Sequence, residues 1–162
     1  IVMRIAVGDT IPKATVYVMG ESGPESKTST DLFADRKVVL FALPGAFTPA
    51  CSAKHLPGFI EAASDFKGKG VDDIICLSVN DAWVMEAWGK AQGAQGKVTM
   101  VGDGNGDLSR AMGFASDMRK SGFGERSIRY AIVVDNGVVT HLNVEAPRKF
   151  EVSDAQTMLA LV

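Results

Sequence analysis

Two nearly uninterrupted apolar runs, KVVLFAL at 37–43 and IICLSV at 74–79, constrain this chain more than any other feature in it. Runs of that length without polar alternation suit strands buried on both faces. Each is followed by a segment of helical character. In the first, 48–67, Leu56, Phe59, Ile60, Ala63 and Phe66 share a helical face, Pro57 predicts a kink, and Gly68-Lys69-Gly70 closes the helix. The second, DAWVMEAWGKAQ, runs from Asp81 to about Gln92. Strand, helix, strand, helix in this order is the pattern of parallel βαβ units. A weaker strand at 97–101 and a short helix near 107–112 continue it. The last third changes character: YAIVV at 130–134 and the segment 138–144 flank Asp135-Asn136-Gly137, a tight hairpin turn, and a helix from about Ser153 follows. The polar stretch Gly20 to Ser29 reads as an exposed loop. The expected fold class is α/β, a mixed central β-sheet flanked by helices on both faces.

No repeat and no linker divides the sequence, so 1–162 is expected to be a single domain. A chain of 162 residues buries roughly 70% of its unfolded surface, so its core needs neither disulfides nor a structural metal, and its two cysteines are free for chemistry. A net charge of -2 with both signs interspersed excludes nucleic acid and anionic membrane as partners. The longest purely apolar run, 38–43, falls far short of the roughly 18 residues of a membrane span. The opening IVMRIAVGD has no signal-peptide or transit-peptide character. The expected localisation is intracellular, with the cytoplasm first and an organelle left open, because a targeting segment could precede a chain that does not begin with Met. Two cysteines in this length suit a reducing compartment.

Cys51 stands eight residues after the first buried strand, in PGAFTPAC at 44–51, where the next helix begins. Thr48 suits the N-cap and Pro49 the first helical position, which puts Cys51 in the first turn, among N–H groups without intrahelical partners. Those donors and the helix dipole favour a thiolate, and helix N-termini bring cysteine pKa values from about 8.5 to roughly 3.5–7.5. Cys51 is therefore predicted to be a nucleophile.

The spacing Pro44-x-x-x-Thr48-x-x-Cys51 resembles the active-site motif of the peroxiredoxins, thiol peroxidases on a thioredoxin-like fold. The string PGAFTPACSAKHLPGF at 44–59 is similar to the type II and type V subgroup. The resemblance continues through GVDDIICLSVND at 70–81, the Trp-containing helix after it, and RSIRYAIVVDNG at 126–137. It implies that Cys51 is the peroxidatic nucleophile toward hydrogen peroxide and alkyl hydroperoxides. It implies further that Thr48 hydrogen-bonds the peroxide, that Pro44 shields the thiolate, and that an arginine from a distant strand stabilises developing charge. Among Arg119, Arg126 and Arg129 it selects Arg129, directly before YAIVV.

A sulfenic acid on Cys51 must be returned to the thiol before further peroxide oxidises it irreversibly. Cys76, inside the second strand, is the one internal candidate for resolution, and the alternative is an external thiol. The resemblance is closest to the plant and bacterial type II pattern, which carries a cysteine at this place, whereas the type V pattern resolves with one near the C-terminus, where EAPRKFEVSDAQTMLALV has none. Cys76 would lie roughly 10 Å below the sheet edge, and a disulfide needs Cα atoms within about 7 Å, so unless the folded spacing is short the first turn of the Cys51 helix would have to unwind. The resemblance implies glutaredoxin with glutathione, or thioredoxin, as reductant.

Other features carry less. His55, four residues after Cys51, could suggest a Cys-His hydrolase dyad, but such dyads assemble from separate segments. DGNGD at 103–107 copies part of a calcium loop, yet Leu108 replaces its turn glycine and Phe114 its bidentate glutamate, so it reads as a polar turn. No nucleotide or metal motif is present, and no cofactor is implied. Trp83, Met85 and Trp88 read mainly as core. The resemblance implies a homodimer in which Phe47 and 78–83 make contacts, while Phe47 could equally pack into the core. Rival functions are a non-enzymatic redox sensor or holdase on the same fold, and a disulfide oxidoreductase, against which the absence of CxxC argues.

Overall fold

The computed structural model describes residues 4–162; residues 1–3, the start of the segment read for a targeting signal, lie outside the described residues. The elements in chain order are β1 (Thr15–Gly20), β2 (Gly23–Thr28), α1 (Ser29–Phe33), β3 (Lys37–Ala42), a π-turn (Cys51–His55), α2 (Leu56–Gly68), β4 (Asp73–Ser78) and α3 (Ala82–Gln92). They continue with β5 (Thr99–Gly102), α4 (Asp107–Met112), β6 (Ala115–Asp117), a 3₁₀ turn (Arg119–Ser121), β7 (Glu125–Ser127), β8 (Tyr130–Asp135), β9 (Val138–Val144) and α5 (Ala155–Leu159). Seven strands form one sheet in the order β2-β1-β5-β4-β3-β8-β9. The apolar runs become β3 and β4 at its centre, paired in parallel, and β5 extends the parallel set beyond β4. The strand β8 pairs antiparallel with β3, and β9 with β8. Asn136 and Gly137 turn that hairpin with φ of 47° and 81°, the positive values that a tight turn requires.

Burial on both faces explains the unbroken apolar runs. Val39, Phe41, Ile74, Cys76, Ala131 and Val133 point to one face, where they pack against Leu56, Phe59 and Phe66 of α2, Met85 and Trp88 of α3, and Met158 of α5. Val38, Leu40, Ile75, Leu77, Ile132 and Val134 point to the other, against Leu32 and Phe33 of α1 and Leu108 and Met112 of α4. The mixed sheet with helices on both faces is thus as expected. Of the helix 82–92, Met85 and Trp88 are core, while Trp83 is 62% exposed. Among the described residues no helix is long and apolar enough to cross a membrane.

Two expectations need correction. The segment 20–29 is not a loop, because Gly23–Thr28 pairs along its whole length with β1 as the edge strand β2. Its sequence GPESKT has no apolar face, so period-two alternation could not reveal it. Nor is the helix after Cys51 simply kinked at Pro57. The Leu56 N–H reaches back five residues to the Cys51 carbonyl, and Pro57 has no N–H with which to close an ordinary α-turn. The strain expected of Pro57 is absorbed as a wide turn that begins on the cysteine. The 103–107 segment is a polar turn, as expected: Asp103 accepts from Leu108 N at 3.2 Å, Ser109 N at 2.8 Å and Ser109 Oγ at 2.7 Å at the start of α4.

Candidate active site

The loop from the end of β3 to the π-turn is fixed at nearly every step. The Leu43 N–H continues the sheet to the Leu77 carbonyl, and Ala46 N–H donates to Asn80 Oδ1 at 3.0 Å, just beyond the end of β4. Pro44 turns its carbonyl to Arg126 Nη1, which donates at 3.0 Å, so Pro44 is anchored through its backbone. Gly45 leaves room for that guanidinium, since a Cβ there would lie 2.6 Å from its nitrogen and push the arginine side chain aside. Helical backbone begins at Pro49.

Thr48 holds the N-cap position with its backbone, accepting from Ser52 N–H at 2.9 Å. Its hydroxyl does not cap the helix as expected. It donates to the Gly45 carbonyl at 2.7 Å, because a threonine side chain satisfies a nearby loop carbonyl as readily as a helix N–H. Phe47 adopts a left-handed conformation, φ 63°, rare for an aromatic residue, and presents its ring 56% exposed at the rim of the loop, 6.4 Å from Trp88 between ring centroids. A core role for Phe47 is thereby excluded.

Cys51 is 1% exposed, and its Sγ accepts from Arg129 Nη2 at 3.0 Å. This arginine, at the head of β8, is the one that the resemblance selects. The other two are engaged elsewhere, Arg119 with Asp117 and Arg126 with the Phe123 and Pro44 carbonyls. Cys76 lies buried in the same apolar cluster as Cys51, and both thiols are free. Burial pushes the Cys76 thiol well above its ordinary pKa, a negative charge on Cys51 adds to this, and Arg129 acts in the opposite sense.

The sequence reading missed the part played by His55. Arg129 Nη1 lies 2.8 Å from His55 Nδ1, and a guanidinium can only donate, so Nδ1 is the acceptor and the proton sits on Nε2. Nε2–H in turn donates to the Ser153 carbonyl at 2.9 Å. Burial, and next the Arg129 charge, lower the His55 pKa from 6.5 to about 3. His55 is therefore a neutral ring with both nitrogens committed, and it cannot serve Cys51 as a base. It aims one prong of the Arg129 fork while the other prong meets the sulfur. Phe150 completes the surround, its ring 5.8 Å from the Arg129 guanidinium and edge-on to His55 at 4.9 Å. A buried polar residue on an otherwise apolar helix face was the available signal. Its partners, 74 and 98 residues away, were not in the sequence pattern.

A nucleophilic sulfur at a helix start, gripped by a fixed guanidinium and enclosed by apolar side chains, suits attack by a thiolate on a small, uncharged electrophile. Comparisons with known proteins point the same way. The redoxin family model matches residues 6–159. Peroxiredoxin-2E-2, chloroplastic, from Oryza sativa subsp. japonica is 50% identical, over 98% of this chain and 73% of that protein. Peroxiredoxin-2B of Arabidopsis thaliana is 47% identical, over 96% of each chain. Among solved structures, reduced Prx3 from Vibrio vulnificus in complex with H2O2 superposes with a TM-score of 0.94 at 52% identity, over 97% of this chain and 98% of that one. The chain therefore belongs to the redoxin family and, with its thioredoxin-like fold, is a peroxiredoxin of the type II pattern, a thiol-dependent peroxidase.

Proposed function

We propose that Cys51 is the peroxidatic residue of a single domain spanning 1–162, and that hydrogen peroxide and small alkyl hydroperoxides are its substrates. The Cys51 thiolate attacks one peroxide oxygen. As the S–O bond forms, the O–O bond breaks, leaving a sulfenic acid and a hydroxide or alkoxide that takes a proton to become water or alcohol. Arg129 pairs with the anionic sulfur and with charge developing on the leaving oxygen. Thr48, one turn before the sulfur, orients the peroxide through its hydroxyl, and Pro44 closes the loop against water. The observation that carries this reading is the 3.0 Å contact from Arg129 Nη2 to a Cys51 sulfur held at the start of a helix. The H2O2 complex of the Vibrio vulnificus relative supports the choice of substrate.

An external thiol completes the cycle in this reading. It attacks the sulfenic sulfur to give a mixed disulfide and water, and a second thiol releases Cys51 reduced. Glutaredoxin with glutathione, or thioredoxin, is the donor. Cys76 is a poor resolving group, because its buried thiol is held protonated and attack requires the thiolate. The compartment is a thiol-reducing one, and the chloroplastic name of the rice relative brings an organelle within range. A homodimer forms over Phe47 and the exposed Trp83, which follows the end of β4.

The test is steady-state peroxide consumption by the unmutated protein, Cys51→Ser and Cys76→Ser, with each reductant system in turn. Turnover abolished in Cys51→Ser and retained in Cys76→Ser is the expected result. Loss in both would give Cys76 the resolving role. Stoichiometric oxidation of Cys51 without turnover under either reductant would replace the cycle with a single-use sensor.

A further inference from the structure

The segment joining β9 to α5 is wound around one carboxylate. Glu145 is buried, and its Oε2 accepts from the N–H groups of Glu151, Val152 and Ser153 at 3.0, 2.9 and 2.7 Å and from the Ser153 hydroxyl at 2.6 Å. Its Oε1 accepts from Glu151 N–H at 2.9 Å. Burial pushes this carboxyl up, but the hydrogen bonds from Ser153, Glu151 and Val152 together outweigh it and hold the group below the usual carboxylate range. Three successive residues thus spend their backbone donors on one side chain, which closes 145–153 into a compact loop.

That loop touches the catalytic centre at two points. Its last residue, Ser153, offers the carbonyl that fixes the tautomer of His55, and its Phe150 lies over the guanidinium of Arg129. The loop also starts where it acts, because Glu145 N–H donates to the Arg129 carbonyl at 3.0 Å. Arg129 is thereby located from three sides: by its own backbone, by His55 on Nη1 and by the Phe150 ring.

We propose that Glu145 is a positioning residue for peroxide reduction, setting the Arg129 fork on Cys51 through the Ser153 carbonyl, His55 and Phe150 without touching the sulfur. This rests on the reading of Arg129 as the charge partner of Cys51. A glutamine at 145 keeps the volume but removes the negative charge and sets an NH2 donor against the Glu151 N–H where Oε1 now accepts, so it holds the loop's donors more weakly. Loosening the guanidinium by even a fraction of an ångström then slows the reaction, since misplacement on the order of 1 Å can cost about 100-fold.

The experiment is a double-mutant cycle on the first turnover. The second-order rate constant for oxidation of Cys51 by hydrogen peroxide is measured by stopped flow in the parent, Glu145→Gln, Arg129→Lys and the double variant. Glu145→Gln is expected to be slower by about ten-fold in the parent background and by less than about two-fold on Arg129→Lys, because the group it positions is already gone. Phe150→Leu, which leaves the carboxylate and its donors intact, is expected to show the same loss of effect on Arg129→Lys. It carries the test should Glu145→Gln fail to fold. Equal slowing in both backgrounds would overturn the proposal and reduce Glu145 to a stability residue, as would a parent-like rate in Glu145→Gln. A parent-like rate in Arg129→Lys would instead defeat the reading of Arg129, and the proposal with it. Cys51→Ser, measured alongside, reports separately whether the reaction belongs to that sulfur at all.

Discussion

Acid should destabilise this protein through His55 before its carboxylates contribute. In the folded chain the ring titrates at about 3 because it is buried and faces Arg129, whereas in the unfolded chain it titrates near 6.5. Between those values the unfolded state binds the extra proton, so stability is fully present above about pH 6.5 and falls as the pH drops toward 3. At 1.36 kcal/mol per unit the ceiling of the effect is roughly 5 kcal/mol, and moving from pH 7 to pH 4.5 removes about 2.5 kcal/mol of it. For a domain of this size that corresponds to a fall in Tm of about 5–10 °C. Urea unfolding at the two pH values, on the parent and on His55→Gln, isolates the term, since every other titrating group is common to both proteins. The parent should lose about 2.5 kcal/mol more than the variant. If both lose the same amount, His55 is not held neutral by its surroundings, and the orientation of Arg129 argued from its tautomer fails.

Gly102→Ala is expected to cost about 1–3 kcal/mol in urea unfolding, because a Cβ there would lie 2.7 Å from the Asn80 carbonyl oxygen, which is backbone and cannot swing aside. The same variant should slow peroxide reduction, since Asn80 holds Ala46 in the Cys51 loop. Phe47→Ala should shift the sedimentation coefficient from dimer to monomer at micromolar protein without lowering the stability of the monomer fold, because the ring is exposed. A parent protein that already sediments as a monomer would refute the dimer.

What could be read from the sequence depended on how many constraints each residue met locally. Strands β3, β4 and β8 declared themselves because both of their faces are buried, which forbids polar interruptions. The β8–β9 turn did so because few pairs other than Asn136-Gly137 accept two positive φ values in succession. Strand β2 stayed hidden for the opposite reason: as an edge strand it meets solvent, and its register is specified by backbone pairing with β1 that any sequence can supply. At the site, Cys51 was legible from its place at a helix start. The choice of Arg129 came from the resemblance, and nothing in the sequence around Arg126 or Arg119 distinguishes them by type. The Thr48 hydroxyl illustrates a local competition that sequence leaves open, between a helix N–H and a loop carbonyl. The relay through His55, Ser153 and Glu145 was illegible because it is made of contacts between segments far apart in the chain, each member an ordinary polar residue in its own neighbourhood.

The wide turn at Cys51–His55 also has a meaning in time. A sulfur that is 1% exposed offers no surface on which the cysteine of another protein can dock as the turn stands. In the cycle proposed above, the turn around Cys51 must open before an external thiol meets the sulfenic acid. It is the segment built to do so, since Pro57 withholds one backbone donor and the Leu56 N–H is stretched to a five-residue return. In that cycle the frequency with which this single turn opens is an upper limit on turnover. It also fixes how long the oxidised sulfur waits beside a closed gate, and so the peroxide concentration at which a second molecule arrives before the reductant does.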